Sequence, residues 1–247
     1  MLETTEKLIV VGLAALSLSF AAPGAYAQTT ASTQSAVIAQ PADNGDPVLD
    51  AAVQQLETEW ARIKFTMVTG SDKQLAMMDE LGKKAEALAA QYPDKPAVLI
   101  WDGIILSERA SMANERNSLT GGITALRLAK QAKAVLEKAY AIDPAALSAG
   151  AATTLGVLYY RVPGFPIGFG DKDKARSLLE EAVRTAPDSL DAQYFYADFL
   201  YTSNLLPQAT AVLEKALTIP QDADRPVWDH SRRLVIQQLL KEIQDKG

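Results

Sequence analysis

Cysteine is absent from the 247 residues of this chain, and histidine occurs once, as His230. No disulfide can form and no thiol is present to receive a lipid, so stability has to come from core packing. A single imidazole without a cysteine or a second histidine makes no metal site. Also missing is a Gly-x-Ser-x-Gly segment that would present a nucleophilic serine. The glycines gathered in Arg161–Asp171 are followed by Asp171, not by the Lys-Ser or Lys-Thr of a phosphate loop. Basic residues are in deficit, 24 against 30 acids for a net charge of −6, which argues against nucleic acid and anionic membranes as partners. No segment alternates with period two, so almost no sheet is expected. The sequence therefore offers no catalytic, cofactor-binding or metal-ligating set.

At the amino terminus, Leu8 to Leu16 is a short apolar run and Ala25-Tyr26-Ala27 fits a cleavage site. Residues 1–27 read as a secretory signal removed after Ala27. A membrane anchor is the rival reading, against which the run is short and Pro23-Gly24 interrupts it. Cleavage removes Glu3, Glu6 and Lys7, which shifts the net charge from −6 to −5. The expected product is periplasmic, with no stable membrane anchor. Residues 28–45 are rich in Thr, Ser, Ala and Gln without an apolar stripe and read as a flexible linker. Residues 46–247 read as one helical domain.

Within that domain one spacing recurs. Ala132-Leu136-Ala139-Pro144 is followed by Ala175-Leu179-Ala182-Pro187, and then by Ala209-Leu213-Ala216 with Pro220 one residue early. Steps of four and three put the small residues and the leucine on one helical stripe, where alanine admits a partner helix and leucine fills the space between. Proline then ends the helix, because the residue before it is pushed out of the helical region. A weaker copy is Leu81-Ala85-Leu88-Pro93. The spacing resembles the second half of a tetratricopeptide repeat, and Leu155-Gly156-x2-Tyr159 resembles the first half. Trp101-Asp102-Gly103 and Tyr194-x2-Ala197 take that part less clearly. The expected fold is all-α, a tetratricopeptide-like solenoid of antiparallel hairpins.

The stripe continues outside the repeats. Leu49, Val53, Leu56, Trp60, Ile63 and Met67 predict a first helix opened by Asp46-Pro47, and Ser71-x2-Gln74 opens the next. Further helices are predicted over 97–113, 123–142, 146–161, 171–186, 189–203 and 205–219. Residues 224–246 predict a terminal helix that covers the open end of the stack. From Gly156 to Ala175 is nineteen residues and from Gly103 to Ala132 twenty-nine, against twelve from Ala197 to Ala209. Both insertions fall at turns inside hairpins, so two loops, 114–123 and Arg161–Asp171, are expected on the same edge, with Gly121-Gly122 as a turn.

Arg161 to Asp171, the run Asp191-x2-Tyr194-Phe195-Tyr196 and Asp198-Phe199-Leu200 resemble a proteobacterial repeat family related to the T-component of TRAP transporters. The resemblance implies a periplasmic protein that associates with a substrate-binding subunit and carries a concave surface or pore for a small apolar ligand. The best-known member of that family is a lipoprotein, whereas this chain has no cysteine to acylate.

Candidate binding residues follow from the loops and aromatic runs. Phe165 and Phe169, with Ile167, either form a lid on a glycine-hinged loop or tuck beneath it, and the second reading is favoured. Tyr194 and Tyr196 belong to a helix too crowded with aromatics for all to point inward. Tyr159 and Tyr194 are the preferred ligand-facing pair, and Arg161 and Trp101 are further candidates. Glu108-Arg109, Glu115-Arg116 and Asp229-His230 read as surface charge. The leading functional reading is a non-enzymatic scaffold for a protein partner or peptide; the alternative is a small-molecule accessory with an apolar cavity.

Overall fold

The computed structural model describes residues 45–116 and 118–246. The signal, the anchor alternative and the linker up to residue 44 lie outside the described residues. Among these residues the chain forms helices and no strand: α1 (Pro47–Thr66), α2 (Asp72–Gln91), α3 (Pro96–Glu115), α4 (Leu119–Ile142), α5 (Ala146–Arg161), α6 (Lys172–Thr185), α7 (Leu190–Thr202), α8 (Leu206–Leu217) and α9 (Pro226–Gln244). None is long and apolar enough to cross a membrane.

Local chemistry sets the ends. Asp46 accepts from the Val48 N–H at 2.9 Å and Pro47 occupies the first turn of α1, where a missing N–H costs nothing. Ser71 caps α2 through Gln74 N–H. The Gln74 side chain accepts from Gly70 N–H at 2.8 Å and donates to the Ile63 carbonyl at 3.0 Å, locking the start of α2 to the end of α1. Asp171 and Ser189 cap α6 and α7 in the same way. At the start of α5, Leu147, Ser148 and Ala149 take left-handed angles, with φ of 48°, 54° and 60°, before the right-handed helix begins.

Each repeat stripe is buried against its hairpin partner. Leu136, Leu179 and Leu213 are fully enclosed, as are Ala132, Ala139, Ala175, Ala182, Ala209 and Ala216; each buried leucine contributes roughly 1.5–3 kcal/mol. A Cβ placed on Gly156 would stand 2.6 Å from Leu179 Cγ, and one on Gly103 would collide with Leu136 Cγ. The two glycines therefore occupy equivalent positions, each letting the repeat leucine of the next helix press on backbone. Pro144 and Pro187 follow the ends of α4 and α6, where Asp143 and Ala186 have left the helical region.

One predicted loop is not a loop. Ser118 caps α4 through the Gly121 N–H at 3.0 Å, so Gly121-Gly122 lie inside the first turn of α4, and the insertion lengthens α3 and α4 instead of forming an excursion. A side chain at 121 would press on the Ala113 carbonyl at 2.5 Å. Close approach of the two helices, not a turn, explains the glycine there.

The hairpins α3–α4, α5–α6 and α7–α8 make the most extensive contacts, and the odd-numbered helices pack side by side from α1 through α9. The terminal helix does more than cover an end. It packs on α7 and α8 and also touches α1, so the stack closes into a ring. One core cluster spans this seam, joining Leu49, Val53 and Trp60 of α1 to Leu213 of α8 and Trp228, Ile236 and Leu239 of α9. A second fills α3 to α7. Arg225, ahead of α9, donates to Glu57 of α1 at 3.0 Å.

Candidate functional site

Ring closure turns the concave face into a lumen of about 3240 Å³, walled by α1, α3, α5, α7 and α9. Its lining runs from Pro47 to Val68 along α1 and from Leu147 to Arg161 along α5, so the space reaches both rims of the ring. Even-numbered helices form the outer layer. The division was written in the helices themselves: α6 is apolar along one stripe, whereas α3 and α5 are buried on most sides. A helix apolar all round is one packed on both faces.

Two wall features dominate. Between α1 and α3, Trp60 meets Trp101 edge-on at 5.6 Å and Phe65 at the same distance. Both indole N–H groups are enclosed without a hydrogen-bond partner, and edge-on ring packing is the compensation available to them. Across the ring, α7 contributes Tyr194, Phe195 and Phe199, with Tyr194 packed on Phe195 at 5.0 Å and Phe199 on Tyr160 of α5 at 5.6 Å.

Several carboxylates of the wall are held by cations. Lys64 pairs with the buried Glu108. Arg161 donates to Asp198 at 2.6 Å, and Tyr160 donates to the same carboxylate. Burial would lower the Arg161 guanidinium, but Tyr160 and Asp198 outweigh it and hold it raised. Burial raises the Tyr160 hydroxyl well above its ordinary range, with Asp198 adding to the rise, so it stays a neutral donor. Arg232 lies 2.7 Å from Asp191 and 4.6 Å from the ring centroid of Tyr194. Burial pushes Tyr194 to about 12. The Asp191–Arg232 contact is a charge contact outside hydrogen-bond alignment, since that Asp191 oxygen has no bonded partner. At the seam, burial raises Glu57 despite the opposing pull of Arg225.

Of the residues singled out from sequence, Trp101, Arg161 and Tyr194 line the lumen. Tyr159 does not. It donates to Glu137 at 3.1 Å and packs edge-on against Phe169 at 5.6 Å, beneath Lys174, in the core shared by α4, α5 and α6. Its neighbour Tyr160 takes the lumen position, one residue being about 100° around a helix. Tyr196 points outward to Glu180. Phe169 tucks under its loop as expected, but Phe165 is 94% exposed and Ile167 57%. Nor do the loop glycines act as hinges. Gly170 N–H bonds Pro163 at 2.9 Å, Asp171 N–H bonds Tyr159 at 2.8 Å, and a side chain on Gly168 or Gly170 would collide with the backbone of Pro163 or Val162. Glu108 and Arg109 are not a surface pair: Glu108 is buried with Lys64, and Arg109 bridges Asp79 and Glu86 of α2. Asp229 is buried and binds Arg233 at 2.8 Å, whereas His230 is exposed. Among the described residues no three metal-ligating side chains gather.

Residues 167–229 match the family model of the tetratricopeptide repeat. This span holds the second half of the loop, α6, α7, α8 and the start of α9, and the same hairpin packing continues through α3 to α5. The chain is thus an all-α helical solenoid in which residues 167–229 resemble tetratricopeptide repeats. No curated protein matches it. Stacked repeats of this type present long binding surfaces and generally engage protein partners.

Proposed function

We propose that this is a periplasmic, non-enzymatic binding protein that holds an extended segment of a protein partner in its helix-lined lumen. The mixed character of the wall carries the reading. Apolar bodies at Trp60, Trp101 and Phe199 alternate with polar groups at Thr154, Tyr160, Asp198 and Arg232, which suits a peptide with both backbone amides and side chains to satisfy. The space is several times the roughly 300–1,000 Å³ of a small-molecule pocket. Binding is favoured over catalysis because Glu57, Glu108, Asp191 and Asp198 are each engaged by a cation, which leaves fewer free carboxylates in the wall to exchange protons with a substrate.

The aromatic wall at Trp60, Phe65 and Trp101 favours a second reading, a small apolar ligand carried by an accessory of TRAP-type transport. One experiment separates them. Labelled peptides are screened for binding to the wild-type chain and to Thr154→Trp, which projects a bulky ring from the wall into the lumen, and the purified protein is inspected by native mass spectrometry. Peptide binding lost in Thr154→Trp at unchanged helicity supports the peptide reading. A retained small molecule in place of peptide binding supports the accessory, and peptide binding equal in both chains removes the lumen from the account.

A further inference from the structure

The two rims of the ring differ in kind. Antiparallel hairpins place the α1–α2, α3–α4, α5–α6 and α7–α8 turns on one rim, with the end of α9, and the remaining turns on the other. Lys246 at the α9 end reaches Tyr201 at the α7 end, as this arrangement requires. On the second rim, residues 45–50, 91–97, 142–147, 185–191 and 218–229 carry nine aspartates against two cations. On the first, residues 66–73, 115–123, 161–174, 202–206 and 243–246 carry five acids and six bases. Helix dipoles favour acids at the amino ends of the odd helices, yet the amino ends of the even helices lie on the first rim, where Ser71 and Ser118 cap α2 and α4 and only α6 is capped by an acid, Asp171. The asymmetry is a property of this sequence, not of the fold.

Large apolar side chains protrude from the near-neutral rim. Phe165 is 94% exposed, Leu119 83%, Val68 78%, Ile123 64% and Ile167 57%, whereas the acidic rim exposes fewer, Val48 at 75%, Val227 at 49% and Ile142 at 45%. They stand on three turns that follow one another along the rim, since α1 packs on α3 and α3 on α5, so one planar surface can meet them together. The lumen opens among them, since Val68 and Gly164 belong to its lining.

We propose that this rim docks on a lipid bilayer by inserting Phe165, Ile167, Leu119, Ile123 and Val68 into the interface, with the acidic rim turned to water. The net charge of −6 opposes membrane contact only for an even distribution. Here the acids lie on the far side, and their repulsion from an anionic surface fixes the orientation. Docking stands apart from what the lumen holds.

The test uses the full chain and phosphatidylethanolamine–phosphatidylglycerol vesicles. Phe165→Trp and Val227→Trp place a reporter on the near-neutral and the acidic rim, and quenching by brominated acyl chains is measured against the parent protein. Added quenching is expected for Phe165→Trp and none for Val227→Trp, a contrast that the amino-terminal apolar run cannot produce. Leu119→Ser with Phe165→Ser should weaken vesicle partitioning about tenfold or more without change in melting temperature, and added salt should not abolish binding. Equal quenching at both positions, undiminished partitioning of the double variant, or a dimer that the double variant abolishes would each overturn the proposal.

Discussion

Arg225 binds Glu57 at 3.0 Å across 168 positions of sequence, and this contact ties the approach to the last helix to the first. The same guanidinium donates to Asp222 at 2.7 Å and lies 4.0 Å from the ring centroid of Trp228. Replacing Arg225 with alanine removes all three interactions and leaves Glu57 half-buried without its cation. The pair is partly exposed, at 32% and 20% of side-chain surface, so the cost should fall below that of a fully buried pair, at about 1–3 kcal/mol. Thermal unfolding checks it, with a drop of several degrees expected.

Glycine substitutions should divide by their surroundings. Gly156→Ala and Gly103→Ala force Leu179 and Leu136 away from the backbone they touch and should each cost about 1–3 kcal/mol; Gly156→Leu should disrupt the α5–α6 hairpin altogether. At Gly122 the space that a Cβ would enter is open to 4 Å, and the backbone there is not left-handed. Gly122→Ala should be neutral or stabilise by up to about 1 kcal/mol. Denaturant titration of the three alanine variants measures the contrast.

Asp102 of α3 is buried with one carboxyl oxygen unpartnered. Loss of hydration raises its carboxyl from 3.8 to about 6, helped by Glu86 and opposed by Arg109. Between those values the folded chain keeps a proton that the unfolded chain has lost, so stability falls as pH rises through the window and stays low above it. The ceiling on this loss is about 3 kcal/mol. Asp102→Asn should therefore stabilise the protein by roughly 1–3 kcal/mol at mildly alkaline pH and have little effect below the window. Melting temperatures of both chains across the pH range test the sign.

Ser148 sits at φ 54° between two other left-handed residues. Such angles cost an L-residue roughly 1–2 kcal/mol, which glycine avoids. Ser148→Gly should raise stability by about 1 kcal/mol in denaturant titration, whereas the same change at Ser189, a cap bonded to the Ala192 N–H, should not.

Helix order was legible because prolines, caps and the alanine–leucine stripe are local signals, and the partner of Gly156 followed from the spacing alone. Gly121-Gly122 misled because glycine is a weak helix former, yet the Ser118 cap and close packing on Ala113 override that preference. Tyr159 was placed on the wrong side of α5 by a single residue: its role in the repeat pattern marks it as hairpin core, and Tyr160 beside it faces the lumen. Phe165 carried no local sign that it would stand outside its own loop. Closure of the ring was not legible, since the contact between Glu57 and Arg225 leaves no periodic trace in either segment.

Electron–electron resonance between nitroxides on Gln55→Cys of α1 and Gln237→Cys of α9 tests closure most directly, the chain having no cysteine of its own. Both positions are exposed. Packed helices lie about 8–10 Å apart, so with the label tethers a single narrow distribution below roughly 30 Å is expected. A broad distribution centred well beyond that distance would show an open superhelix, in which no lumen exists.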